Sequence, residues 1–143
     1  MHKVIAYTDG SCSGNPGPMG AGAVLLLRNQ NRIKQISKSL GAGTNNIAEL
    51  QAISLALSAI FPRSRSATHV TIRTDSQYCI GILSKGWKIS ANPGLIMAIK
   101  ELMSQFAKIE FEKVSAHTQD KYNDWADNLA RMSCCGNVVD SYV

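Results

Sequence analysis

The sequence predicts an α/β protein in which a five-stranded mixed sheet is covered by helices. Three strand-like runs follow one another through Leu40, joined by polar or glycine-rich turns, as an antiparallel meander requires. A long helical repeat comes next. After it, strand-like and helix-like segments alternate, as parallel crossover connections require. Strands 1–3 are therefore expected to be antiparallel, with strands 4 and 5 parallel to strand 1.

The first run, "KVIAYTD", reads as a buried strand ending at Asp9. "GAGAVLLLR" and "RIKQISKSL" are the next two strands. The third alternates apolar Ile33 and Ile36 with lysine and serine, the pattern of a half-exposed antiparallel strand. In "TNNIAELQAISLALSAIF", Ile47, Leu50, Ile53, Leu57 and Ile60 recur at helical spacing. Asn45 or Asn46 is the expected N-cap and Pro62 the stop. "HVTIRTD" is the fourth strand, "SQYCIGILSK" a short helix and "GWKISANPG" a loop. "LIMAIKELMSQFA" is a helix, "KIEFEKVSAH" the fifth strand, and a last helix runs from about Lys121 to Cys134. Residues 1–135 make one domain, with 136–143 as a short polar tail.

At 143 residues the chain is long enough to bury a core without disulfides. Its composition, 45% hydrophobic and 17% charged, is that of a globular protein. A net charge of +5 suits an anionic partner, of which nucleic acid is the commonest. No segment approaches the ~18 apolar residues of a membrane span, and the N-terminal apolar run is too short for a signal peptide. The expected setting is the cytoplasm, with no membrane partner. Cys12, Cys79, Cys134 and Cys135 form no C-x-x-C pair and no cysteine–histidine cluster. That excludes a structural zinc site and leaves free thiols.

The chain has only ten acidic residues, so their placement is informative. Asp9 and Asp75 end strands one and four in matching contexts: apolar run, threonine, aspartate, small residue. If those strands lie side by side and parallel, both carboxylates emerge at the C-terminal edge of the sheet, where open α/β sheets bind ligands. Glu49 lies early in the long helix between Ile47 and Leu50, and Asp127 has Trp125, Ala126 and Leu129 around it. Singly, each fits a structural role as a turn, cap, first-turn or solvated acid. Together, four such carboxylates repel one another unless cations lie between them or their pKa values rise. An oxygen-only ligand set suits Mg²⁺ or Mn²⁺ rather than zinc.

These residues and their surroundings strongly resemble type 1 ribonuclease H. The family's D-G-S-x-x-G-N-P-G-P-x-G spans Asp9 to Gly20, its T-N-N-x-x-E spans Thr44 to Glu49, and its T-D-S-Q-Y spans Thr74 to Tyr78. Its H-x(9)-D is matched by His117 and Asp127, with Asn123 and "ADNLAR" in place. The likeness runs from about Val4 to Arg131. It implies a ribonuclease H-like fold and hydrolysis of the RNA strand of RNA/DNA hybrids, leaving 5′-phosphate and 3′-hydroxyl ends. It further implies that Asp9, Glu49, Asp75 and Asp127 hold two Mg²⁺ ions, for which Mn²⁺ can substitute. One ion would activate the attacking water and the other would stabilise the leaving oxygen. His117 matches a histidine associated with leaving-group protonation or product release.

The resemblance also assigns substrate contacts. Cys12, Ser13, Asn15, Asn45 and Gln77 would line the minor groove of the RNA strand, where the 2′-hydroxyl marks RNA. Thr44, Asn46, Trp87, Ser90 and Asn92 would face the DNA strand. The family's bacterial members often carry an extra helix and basic protrusion; here only "CIGILSKG" separates Tyr78 from Trp87. Ala42 stands where a basic residue often precedes the T-N-N motif. Both departures predict weaker hybrid binding and a preference for low salt. A free-standing monomeric enzyme is expected. The alternatives are a DNA nuclease of the same fold, a binding module whose catalysis has lapsed, or a reverse-transcriptase domain.

Overall fold

In a computed structural model, residues 2–115 and 120–143 are described. The chain runs β1 (His2–Cys12), β2 (Gly17–Leu27), β3 (Arg32–Gly43), α1 (Asn45–Ser58), β4 (Thr68–Thr74), α2 (Gln77–Ser84), α3 (Pro93–Met103), β5 (Lys108–Lys113), α4 (Lys121–Ser133) and β6 (Asp140–Tyr142). The sheet order is β5-β4-β1-β2-β3-β6. β1, β2 and β3 pair antiparallel, whereas β4 pairs parallel with both β1 and β5.

The sheet therefore has six strands, one more than the sequence predicts. The extra strand comes from the segment expected to be a tail: β6 pairs antiparallel with β3, opposing Ile36 with Asp140 and Lys34 with Tyr142. Nothing in "DSY" alternates in polarity over a useful length. β6 is held instead by its neighbours, with Lys34 paired to Asp140 at 3.4 Å and the Arg32 guanidinium 3.8 Å from the Tyr142 ring centroid.

Two apolar clusters sandwich the sheet. Val4, Ala6, Leu25, Val70 and Ile72 pack with Leu50, Ile53 and Leu57 of α1 and Ile96 and Ile99 of α3. On the opposite face Tyr7, Val24 and Leu26 pack under Ala126 and Leu129 of α4. Successive strand residues face opposite sides, so alternate residues of β1 feed the two clusters.

Several boundaries differ from the expected ones. Thr44, rather than Asn45 or Asn46, caps α1: its Oγ1 accepts from the Ile47 N–H at 3.3 Å. α1 ends at Ser58, ahead of Pro62, which opens a 3-10 turn over Pro62–Ala67. β1 does not stop at Asp9 but continues to Cys12, because β2 remains its partner out to Met19. Among the described residues no helix is long and apolar enough to cross a membrane.

Candidate active site

The two edges of β1 end at different points, and this difference builds the site. On one side β1 pairs with β2 through the Asp9–Gly22 match and beyond. On the other, its parallel pairing with β4 stops at Tyr7 and Arg73. Asp9 thus lies past the last β1–β4 pair, and Asp75 is the first residue after β4. Both carboxylates lie at the C-terminal edge of the parallel strands, where Glu49 of α1 meets them. Carboxylate oxygens of Asp9, Glu49 and Asp75 all lie within 4.8 Å of one another.

Two glycines let the helices close on this edge. A Cβ at Gly10 would lie 2.2 Å from the Ala48 carbonyl carbon and 2.3 Å from the Glu49 nitrogen. A Cβ at Gly22, opposite Asp9, would lie 2.5 Å from the Ala126 carbonyl oxygen of α4. Only hydrogen at these positions permits the approach.

Asp9 and Glu49 are 8% and 9% exposed. Burial pushes the Asp9 carboxyl far above the ordinary carboxylate range, and the neighbouring Glu49 and Asp75 push it further. Burial also raises Glu49, while hydrogen bonds from Asp9 and from the Gly10 N–H hold part of that rise back. Two buried carboxyls raised in this way either keep a proton or take up a cation. The donors are all oxygens and all acidic, the set a hard divalent cation prefers over zinc.

Asp127 is near enough to Asp9 to add a little to the rise of its carboxyl, after burial, Glu49 and Asp75. It is not one of the three mutually close carboxylates: its side chain is 42% exposed and pairs with Arg131 at 2.8 Å. The sequence places it near a buried face, and it lies instead at that face's rim. Arg131 is missed by the sequence reading, although the four-residue spacing on α4 signals the pair. Asp120 is missed too. Its carboxylate caps α4, accepting from the N–H groups of Tyr122 and Asn123 at 3.0 and 3.4 Å. His117 lies outside the described residues.

Most of the expected RNA-side residues come together in one loop system. Asn15 Oδ1 accepts from the Asn45 N–H at 3.0 Å, tying the β1–β2 loop to the first residue of α1. Ser13, Asn15 and Asn45 are exposed there, and Gln77 is exposed at the start of α2. The Cys12 thiol is turned to the carbonyls of Gly43 at 3.1 Å and Gly17 at 3.5 Å, so it acts as a tie within the loop.

The DNA-side candidates are more dispersed. Thr44 is occupied as the α1 cap, and Asn46 is exposed beside it. Trp87 packs its ring against α2 at Gly81 yet stays 44% exposed. Ser90 is exposed, and Asn92 holds a left-handed φ of 56° ahead of α3 without using its side chain as a cap. No further helix separates α2 from α3. A cavity of about 290 Å³ opens at the other end of β1, among Lys3, Leu25, Arg32 and Phe61, and contains none of the carboxylates.

Comparison with known proteins agrees with this geometry. The profile of the RNase H family matches residues 1–134. A ribonuclease H from Chlorobium phaeovibrioides is 35% identical over 145 residues, covering 92% of this chain and 94% of that one. A ribonuclease H from Ehrlichia chaffeensis is 37% identical, again covering 92% and 94%. Among solved structures, the N-terminal RNase H domain of a Mycobacterium tuberculosis protein superposes with a TM-score of 0.81 at 28% identity, covering 95% of this chain and 96% of that one. A compost-derived RNase H1 solved with an RNA/DNA hybrid gives a TM-score of 0.77 at 25% identity, covering 90% and 94%. With a family match over nearly its whole length and acidic groups gathered at the sheet edge, the chain belongs to the RNase H family of enzymes.

Proposed function

We propose that this chain is a type 1 ribonuclease H that hydrolyses the RNA strand of RNA/DNA hybrids with Mg²⁺, leaving 5′-phosphate and 3′-hydroxyl ends. The observation that carries the proposal is the convergence of Asp9, Glu49 and Asp75 oxygens within 4.8 Å, with two of the three carboxyls buried. Asp127, beside Asp9, completes the ligand set. Two Mg²⁺ ions held there would supply a nucleophilic water and stabilise the leaving oxygen.

The chain's own residues do the rest. Asp9, Glu49 and Asp75 crowd three acids at one point of the sheet edge, which disfavours a phosphate there unless cations lie between them. Arg131 neutralises Asp127 from outside the cluster. The exposed amides of Asn15, Asn45 and Gln77 offer both donors and acceptors, which suits a 2′-hydroxyl that does both. A hybrid recognised through sugars and phosphates is read by shape, without base specificity. The short α2–α3 connection supports a form without the basic protrusion.

The test is cleavage of a labelled RNA/DNA hybrid with Mg²⁺, beside the same sequence as RNA duplex and as DNA duplex. Selective cleavage of the RNA strand in the hybrid is expected. Cutting of all three substrates, or of none, would sink the proposal.

A further inference from the structure

The cavity at the far end of β1 carries a positive charge that its own walls do not answer. It measures about 290 Å³, and Val4 of β1 and Leu25 of β2, both buried, contribute to its apolar floor. His2, Lys3, Arg32 and Lys34 line it, and no aspartate or glutamate does. Lys34 is paired with Asp140 at 3.4 Å. Among the described residues no carboxylate pairs with Lys3 or Arg32. Like charges gathered about one concavity repel each other, and an anion placed between them relieves the repulsion.

Two aromatic rings share the same cavity. Phe61, which follows α1, is 73% exposed, and Tyr142 of β6 is 43% exposed. The Phe61 ring offers a flat apolar face and no hydrogen bond, so it suits another ring or a hydrocarbon. The Arg32 guanidinium lies over the Tyr142 ring, 3.8 Å from its centroid. Stacking fixes the plane of the guanidinium and leaves its N–H fork free, the arrangement in which arginine holds a phosphate. Asn29 adds a polar group to the rim. Its Oδ1 accepts from the Lys3 backbone N–H at 2.7 Å, which ties the turn after β2 to β1 and leaves the amide N–H groups as donors.

These features meet in one class of ligand. Inorganic phosphate would leave Phe61 and the apolar floor unused, and an uncharged ring would leave Lys3 and Arg32 unanswered. An aliphatic carboxylate has no ring for Phe61 and no donor or acceptor for Asn29 beyond its charged head. A nucleotide has a flat base, a polar sugar and a phosphate. The volume lies at the lower end of the ~300–1,000 Å³ of ligand pockets, which admits a single unit.

We propose that this cavity is a second binding site that takes one nucleotide unit, with its base on Phe61 and its phosphate between Lys3 and Arg32. The unit is a free nucleoside monophosphate or the end residue of a single strand. Asp9 lies seven residues along β1 from His2, about 23 Å at ~3.3 Å per residue, so the site is separate from the carboxylates. Tyr142 belongs to β6, so the site is complete only because the C-terminal strand joins the sheet.

The experiment is calorimetry with AMP at low salt in EDTA, since without divalent cations the carboxylate cluster disfavours a phosphate. Phosphate, adenosine and octanoate are measured beside it, and AMP should bind at least about tenfold more tightly than each. Phe61→Ser should weaken AMP binding by about fivefold or more, the lower end of what one aromatic platform contributes to a stacked base. Lys3→Gln should weaken it by about tenfold, the loss of one charge-assisted contact. Both side chains are exposed, so neither variant depends on the other to keep a folded protein for the test.

Cleavage of a blunt-ended hybrid by both variants should stay within about twofold of wild type. A larger fall would put these residues on the path of the hybrid and overturn the assignment of a separate site. A single-stranded tetranucleotide that binds more tightly than AMP, and is weakened by the same variants, assigns the strand end; any other result for it assigns the free nucleotide. No AMP binding at millimolar concentration overturns the proposal. So does equal binding of phosphate, adenosine or octanoate, and so does wild-type AMP affinity in both variants. Failure of the wild type to cleave any hybrid would sink the functional proposal and leave this one standing.

Discussion

The Gly10 N–H donates to Glu49 Oε1 at 2.5 Å, joining β1 to α1 one residue after Asp9. The same glycine lets the two backbones approach, because a Cβ there would lie 2.2–2.5 Å from the Ala48 and Glu49 main chain. Gly10→Ala must push α1 away from the sheet edge, and overpacking of this kind costs about 1–3 kcal/mol. Melting curves should register that loss. Mg²⁺ should recover less stability for the variant than for wild type, because Glu49 is carried away from Asp9. Equal Mg²⁺ responses would show that the contact does not set the carboxylate spacing.

Asp9 and Glu49 give the metal-free protein a pH dependence of definite sign. Burial raises both carboxyls in the folded chain. Between the ordinary carboxylate range and those raised values the folded state holds protons that the unfolded state has released. Stability therefore falls as pH rises through that window, and bound Mg²⁺ should flatten the fall. Asp9→Asn removes the charge and should abolish turnover while stabilising the metal-free fold at neutral pH by more than about 1 kcal/mol, the worth of roughly one pKa unit. Denaturant titrations at two pH values, with and without Mg²⁺, read the effect. A destabilised metal-free Asp9→Asn would contradict it.

The contrast between Asp75 and Asp127 shows what the sequence reveals and what it withholds. Matching strand-end contexts bring Asp9 and Asp75 to one edge, because strand polarity and parallel pairing follow from the order of elements. Asp127 is legible as a residue of α4, but not its exposure, since the rotation of a helix about its axis depends on what the sheet offers it. Gly22, set against Ala126, and Tyr7, packed under α4, supply that from segments about 100 residues away in sequence. β6 was illegible for a related reason. "DSY" has no pattern of its own, and its pairing is selected by Arg32 and Lys34 on the neighbouring strand. The α1 cap was misplaced by one or two residues because Thr, Asn and Asn in succession can all cap. Only the backbone shows that Thr44 does.

If Asp127 is a metal ligand as proposed, Arg131 and a divalent cation compete for its carboxylate. The pair is 2.8 Å long, with side chains 62% and 42% exposed, so it contributes little to stability. Arg131→Ala should leave the melting temperature nearly unchanged. Removing a competing positive charge should tighten Mg²⁺ binding by about two- to fivefold, the equivalent of ~0.5–1 kcal/mol. Calorimetry without nucleic acid keeps any contribution of Arg131 to hybrid binding out of the measurement. Weaker Mg²⁺ binding would mean that Arg131 orients Asp127 for the metal instead of competing with it.

Ala42 offers a gain-of-function test of the hybrid surface. It is exposed on β3 opposite Pro18, two residues before the Thr44 cap. A lysine there would add a cation beside a loop system already proposed to face the hybrid, without displacing any buried group. A phosphate contact releases condensed counterions, so Ala42→Lys should steepen the dependence of log affinity on log salt by about 0.7–0.9. At low salt the affinity should rise by about tenfold or more, the equivalent of the ~1.5–3 kcal/mol of a charge-assisted hydrogen bond. Binding measured with a metal-free Asp9→Asn background at several salt concentrations isolates the effect from turnover. If slope and affinity both stay at wild-type values, the phosphates of the hybrid do not pass over this end of β3, and the placement of the DNA strand beside Thr44 fails with it.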